Sequence, residues 1–174
     1  YLDVLPQTHF APHGDLTAVA ELLASGDVAA VIVEAIQSIA GMRMAPVDYI
    51  RRLRDLCTTH GTALILDEVQ TGVGRTGTFS ISEHYGVTPD LITLAKSLGA
   101  GVPVSAVLVH DDIAATVESG DQGSTFGGGM LARAAVKPDE DQIADDGGVA
   151  RAEVIHSHLG DHVASMGAEV RGKG

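Results

Sequence analysis

Three ionisable side chains stand where apolar runs of strand character end. Glu34 follows "VAAVIV" (28–33), Asp67 follows "ALIL" (63–66), and Lys96 comes just after "LITLA" (91–95). In an open α/β sheet, ligands bind beyond the carboxyl ends of the strands. Two acids and an amine on three strands would therefore line one edge of one sheet. A single acid after a strand often only caps a turn, and a lone lysine is normally a solvated charge. Three on one edge point to a site. Around Asp67 the chain reads "LILDEVQTGVGRTG" (64–77), an apolar run closing in two acids and then a glycine-rich loop with one arginine. Two chemistries are written this way. One is an acid pair on magnesium beside a phosphate-cradling loop; the other is a carboxylate partnering the ring nitrogen of an organic cofactor.

The nucleotide reading fails on a missing residue. A phosphate-binding loop needs G-x-x-x-x-G-K-[ST], with the lysine reaching the terminal phosphates. Gly72 and Gly77 have the right separation, but Thr78 occupies the lysine position and no other stretch supplies it. An aldehyde cofactor such as pyridoxal phosphate asks for different parts: a lysine for a Schiff base, an acid for the pyridinium nitrogen, and hydroxyl and backbone donors for the phosphate. Lys96, Asp67 and the loop "GSTFGGG" (123–129) can provide all three. In that loop Ser124, Thr125 and the glycine N–H groups would form a phosphate nest at the start of the helix after Gly128.

The elements that must position these groups alternate. Asp15 is a good N-cap for a helix over "LTAVAELLAS", and "VAAVIV" is a β-branched run of the kind buried on both faces of a parallel sheet. From Val47 to His60 the spacing of Ile50, Leu53 and Leu56/Cys57 predicts an apolar helix face, with Gly61 as its stop. "ALIL" is a second strand, "FSISEHYG" a helical turn ending at Gly86, "LITLA" a third strand and "SAVLV" a fourth. A helix then begins at Asp111. Such alternation implies βαβ units, hence an α/β fold with a mostly parallel sheet and helices on both faces. After Gly129 the pattern is helical, with a break or kink at Pro138. A boundary falls near 145–148.

Composition narrows the partners. The 174 residues are 45% hydrophobic and 20% charged, enough for a buried core. A net charge of −12 repels nucleic acid and anionic membrane surfaces, so neither is an expected partner. Cys57 is the only cysteine, no signal peptide is evident, and no apolar run nears the ~18 residues of a membrane span. A cytoplasmic location follows as the expectation. His158 and His162 are four residues apart on a predicted helix, with His156 near, but no cysteine or further ligand accompanies them. No metal is expected.

"AVIVEAIQSIAGM", "ALILDEVQTGVGRTG", "PDLITLAKSLGAGVPVSAVLV" and "GSTFGGG" together resemble the class III pyridoxal-phosphate-dependent aminotransferases, the group that includes the acetylornithine and ornithine enzymes. The likeness runs in one register from about Asp15 to Arg171. It implies a fold type I large domain, here residues 1–146, with residues 147–174 beginning a small C-terminal domain. It also implies a homodimer whose active sites lie at the interface.

Carried over by position, the resemblance makes Lys96 the Schiff-base residue and Asp67 the partner of the pyridinium proton. Val69 would pack on one face of the ring, Gln70 would bond the phenolic oxygen, and Ser124 and Thr125 would bind phosphate, Thr125 in the neighbouring subunit's site. Glu34 matches a glutamate near the substrate pocket. Glu68 and Arg75 match the motif without an assigned role, Arg75 being expected to anchor its own loop through backbone contacts. Ala35, Gly129 and Arg133 depart from the family's usual residues.

The implied reaction is a ping-pong transfer of an amino group from an amino acid or amine to a keto acid. The runner-up reactions on the same framework are a decarboxylase or an aminomutase, and a catalytically inactive fragment is a third reading. The chain starts at Tyr1 and stops at "EVRGKG", which reads as the central part of a longer enzyme. Alone, it is expected to bind the cofactor weakly and to turn over little.

Overall fold

Asp15 opens the first helix. The computed structural model describes residues 7–134, 136, 152, 155, 157, 161, 163, 165 and 166. In it the Asp15 carboxylate accepts the N–H groups of Thr17 and Ala18, both at 3.0 Å, capping α1 (Leu16–Leu23). Next come β1 (Ala30–Val33) and a small antiparallel pair, β2 (Ile36–Gln37) with β3 (Arg43–Met44). α2 (Val47–His60) buries Tyr49, Ile50, Leu53 and Cys57 along one stripe and ends at Gly61, whose φ of +65° is the left-handed conformation that closes a helix.

The remaining elements keep the alternation. β4 (Ala63–Asp67) leads through the glycine-rich loop to α3 (Ile81–Tyr85), which starts in a Ser80/Glu83 capping box and stops at Gly86. β5 (Leu91–Leu94), a 3-10 turn (Lys96–Gly99), β6 (Ala106–Val109) and α4 (Asp111–Ala114) complete the series. The four expected strands and the helices expected as far as Asp111 are present, while most of the helical pattern expected after Gly129 lies outside the described residues. The domain boundary, Pro138 and the His158/His162 pair lie outside the described residues. No helix among the described residues is long and apolar enough to cross a membrane.

The main sheet has the order β1-β4-β5-β6. β1, β4 and β5 run parallel, and β6 returns antiparallel to β5. A parallel return needs a crossover of about a dozen residues or more, usually a helix. Residues 95–105 hold only a short 3-10 turn, so β6 doubles back.

Leu64 and Leu66 of β4, fully buried, meet Ile50, Leu53 and Cys57 of α2 and Ile81 and Tyr85 of α3 in one core. The Tyr85 hydroxyl donates to the Ala45 carbonyl at 2.9 Å, and burial pushes its pKa up to about 12. A second, smaller cluster joins Val73, Leu94 and Leu98. β1 differs from the expectation of a strand buried on both faces: Ile32, paired with Ile65, is 62% exposed. Among the described residues β1 pairs with β4 alone, and the helices that pack on it lie on the Val33 side.

Candidate active site

Parallel pairing aligns the strand ends. Val33 pairs with Leu66, and Asp67 with Thr93. Glu34, Asp67 and the residues after Leu94 therefore leave the sheet side by side at its carboxyl edge. Lys96 lies three residues beyond Thr93, at most about 10 Å of extended chain. The sequence places these three groups on one edge by their position after apolar runs; the register places them on three adjacent strands.

Asp67 is half-buried and partly committed. Its Oδ1 accepts the Val69 N–H at 3.1 Å and the Thr93 hydroxyl at 3.2 Å. Both bonds land on one oxygen, so among the described residues Oδ2 is the atom open to a further donor. Val69 is thereby fixed just beyond the strand, its N–H turned back on the carboxylate. Gln70, exposed, donates its side-chain amide to Ser38 Oγ at 2.5 Å and so ties the strand end to the β2–β3 hairpin. Glu34 is half-buried, and its backbone carbonyl accepts from His13 Nε2 at 3.2 Å.

Lys96 is exposed, and its backbone φ is +47°. A non-glycine residue in this region is strained by roughly 1–2 kcal/mol, and such strain collects at functional sites. The adjacent Ser97 hydroxyl accepts from Arg75 Nε at 2.8 Å. Arg75 thus reaches across to the lysine turn through its side chain, in place of the expected backbone contacts within its own loop.

Glu68, next to Asp67, is 1% exposed. Its carboxylate accepts the Ser80 hydroxyl at 2.5 Å and the Ile81 N–H at 2.8 Å. Burial pushes the Glu68 carboxyl above the usual carboxylate range; the bonds from Ser80, Ile81 and Ser82 offset part of this, and the Glu83 charge adds to it. This side chain closes the neck of the 68–80 loop.

Ser124 and Thr125 stand apart. They are exposed, and the "GSTFGGG" loop makes local turns, with Gly127 N–H donating to Ser124 O at 3.1 Å and Gly129 N–H to Phe126 O at 3.3 Å. Among the described residues no hydrogen bond joins this loop to the Asp67–Lys96 edge. A cavity of about 640 Å³ lies beside it, lined by Val104, Ser105, Gly128, Met130 and Arg133 among others. Among the described residues no cluster of three His, Cys, Asp or Glu could hold a metal ion.

Sequence reasoning misses three partners of the site: Thr93, Ser38 and Ser97. Thr93 could be found, since it neighbours Asp67 once β5 is placed in parallel register. Ser38 and Ser97 carry no signal, because each acts across a contact between segments distant in sequence.

A mostly parallel sheet with an acid and a lysine at the carboxyl ends of neighbouring strands defines an α/β domain, a class of sheet in which ligands bind across that edge. The family model for aminotransferase class-III matches residues 7–174, and the chain belongs to that family. It is 50% identical over 133 residues to the acetylornithine aminotransferase of Methanopyrus kandleri, covering 76% of this chain and 34% of that protein. The Bacillus subtilis acetylornithine aminotransferase is 38% identical over 174 residues, covering 95% and 44%. Among solved structures, the ornithine aminotransferase of Toxoplasma gondii ME49 superimposes with a TM-score of 0.92 at 35% identity, covering 98% of this chain and 42% of the other. The acetylornithine aminotransferase of Elizabethkingia anophelis gives 0.89 at 36%, covering 94% and 45%. The chain spans less than half the length of each of these relatives.

Proposed function

We propose that these residues form the central, cofactor-holding part of a pyridoxal-phosphate-dependent aminotransferase. The whole protein would transfer an amino group from an amino acid or amine to a keto acid by ping-pong exchange. The names of the relatives favour an ornithine-type amino donor. The observation that carries the reading is the pairing of Asp67 with Thr93, which sets the carboxylate and the Lys96 turn at the ends of adjacent strands.

The donor set fits the cofactor. Asp67 Oδ2 is open to accept a ring N–H while Oδ1 is steadied by Val69 and Thr93. A charge-assisted bond there contributes about 1.5–3 kcal/mol and favours the protonated ring. When bound, the cofactor supplies an electrophilic aldehyde and a ring that withdraws electrons from the substrate. Lys96 would hold that aldehyde through its side-chain amine and, once displaced by the substrate amine, would take up the substrate's carbon-bound proton as general base and give it back as general acid. Val69 would support one ring face, and Gln70 would turn from Ser38 to the phenolic oxygen. Ser124 and Thr125 would serve the phosphate, Thr125 in the partner's site of a homodimer, consistent with their local, exposed loop. Glu34 would face the substrate. The setting is cytoplasmic.

The test is Lys96→Ala in the full-length protein loaded with pyridoxal phosphate. Loss of the visible absorbance of lysine-bound cofactor is expected; unchanged absorbance refutes the lysine assignment. Keto-acid-dependent amino transfer without CO₂ release would separate this reading from a decarboxylase.

A further inference from the structure

Lys96 is bracketed. Leu94 and Leu98, two residues away on either side, are 2% and 4% exposed, and both are buried with Val73 of the glycine-rich loop. Val73 itself has a φ of +59°, and Ala100, at the far end of the lysine turn, +48°. Three non-glycine residues in the left-handed region thus cluster where two segments meet, and such conformations persist only where surroundings over-determine them.

The loop is closed on itself from several points. Gly72 N–H donates to Glu68 O at 2.9 Å, and Val73 N–H to Phe79 O at 2.8 Å. Gly72 lies so close to β5 that a Cβ would sit 2.5 Å from Leu94 Cδ2 and 3.0 Å from Glu68 O. The side chain that crosses from the loop tip to the lysine turn is Arg75, through Ser97 at 2.8 Å.

We propose that the 71–77 loop braces the backbone of Lys96, and that Arg75 is a positioning residue acting through Ser97. This rests on the function proposed above. Val73 wedges the two leucines that flank Lys96, and the Arg75–Ser97 bond locks the turn against the loop. A relaxed turn would let the Lys96 backbone fall back to negative φ and redirect its side chain from the strand end. Misplacement of a reacting group by about 1 Å costs turnover far more than it costs binding.

The experiment compares Arg75→Ala, Ser97→Ala and the double variant in the full-length protein, by hydrogen exchange without cofactor and by steady-state kinetics with it. Exchange in the peptide spanning 96–100 should quicken about fivefold in each single variant, the factor of one ordinary hydrogen bond, while α2 is unchanged. The double variant should be no faster than either single one, because the same bond is removed. With cofactor, kcat should fall about tenfold and KM by less than threefold. Unchanged exchange at 96–100, or single effects that simply add, would overturn the brace. If Arg75→Ala does not fold, Ser97→Ala alone decides on the same exchange readout. That readout needs no cofactor, so it stands or falls separately from the Lys96→Ala absorbance test.

Discussion

The carboxylate of Glu68, at the end of β4, accepts the backbone N–H of Ile81 at 2.8 Å, thirteen residues later in the chain. One buried side chain therefore both follows the candidate cofactor acid and caps the helix after the glycine-rich loop. Removing it strands the Ile81 N–H in the interior and leaves the Ser80 hydroxyl with Ser82 as its remaining partner. Glu68→Ala should destabilise the protein by about 2–4 kcal/mol, read from urea unfolding.

Glu68 also sets a pH dependence. Its folded carboxyl is raised above the ordinary value, chiefly by burial. The folded state then holds its proton more tightly than the unfolded chain. The contribution is fully present below the unfolded value, about 4.3, and is lost as pH rises through the folded one. Urea titrations over that range should show this slope in wild type, and Glu68→Gln should remove it.

Asp90 works in the opposite sense. Burial alone would raise its carboxyl, but Arg54 at 2.6 Å, the Leu64 N–H at 2.6 Å and the charges of Arg54 and His110 outweigh burial and lower it. Its contribution is present above the unfolded value and disappears as pH falls through the depressed folded value. Asp90→Asn should cost about 1–2 kcal/mol at neutral pH, and its unfolding curve should lose that part of the acid sensitivity.

Two glycines should respond differently to alanine. At Gly61 a Cβ meets nothing within 4 Å, so the cost is that of φ +65° alone, about 1 kcal/mol. At Gly72 the Cβ collides with buried Leu94 and the Glu68 carbonyl, and about 1–3 kcal/mol is expected with a shift of the loop. Thermal unfolding of the two variants should rank them in that order.

Cys57 should be inert. It is fully buried on α2, and burial is the largest influence pushing its thiol up to about 11. Native protein at pH 8 should resist alkylation by iodoacetamide, with labelling appearing only on unfolding.

Elements with local signatures are legible in the amino-acid sequence. Asp15, Gly61 and Gly86 mark their helix ends because capping and left-handed closure depend on residues within one turn. The strands are legible as apolar runs, and their ends locate Glu34, Asp67 and Lys96. The burial expected of "VAAVIV" is only half realised among the described residues, where β1 pairs with β4 alone, since an apolar run does not reveal how many neighbours its strand has. The return of β6 is also hidden, because strand direction depends on what the connection can span.

By itself the sequence determined the residue types at the strand ends, the periodicity of the elements and the motifs that mark the family, all properties of near neighbours along the chain. Tertiary structure alone decided that Asp67 pairs with Thr93, that Glu68 is a buried cap, and that Arg75 meets Ser97. Each of those depends on which distant segments share a register or a packed surface. That choice is made by the collective burial of side chains such as Leu64, Leu66 and Leu94, and no local pattern contains it.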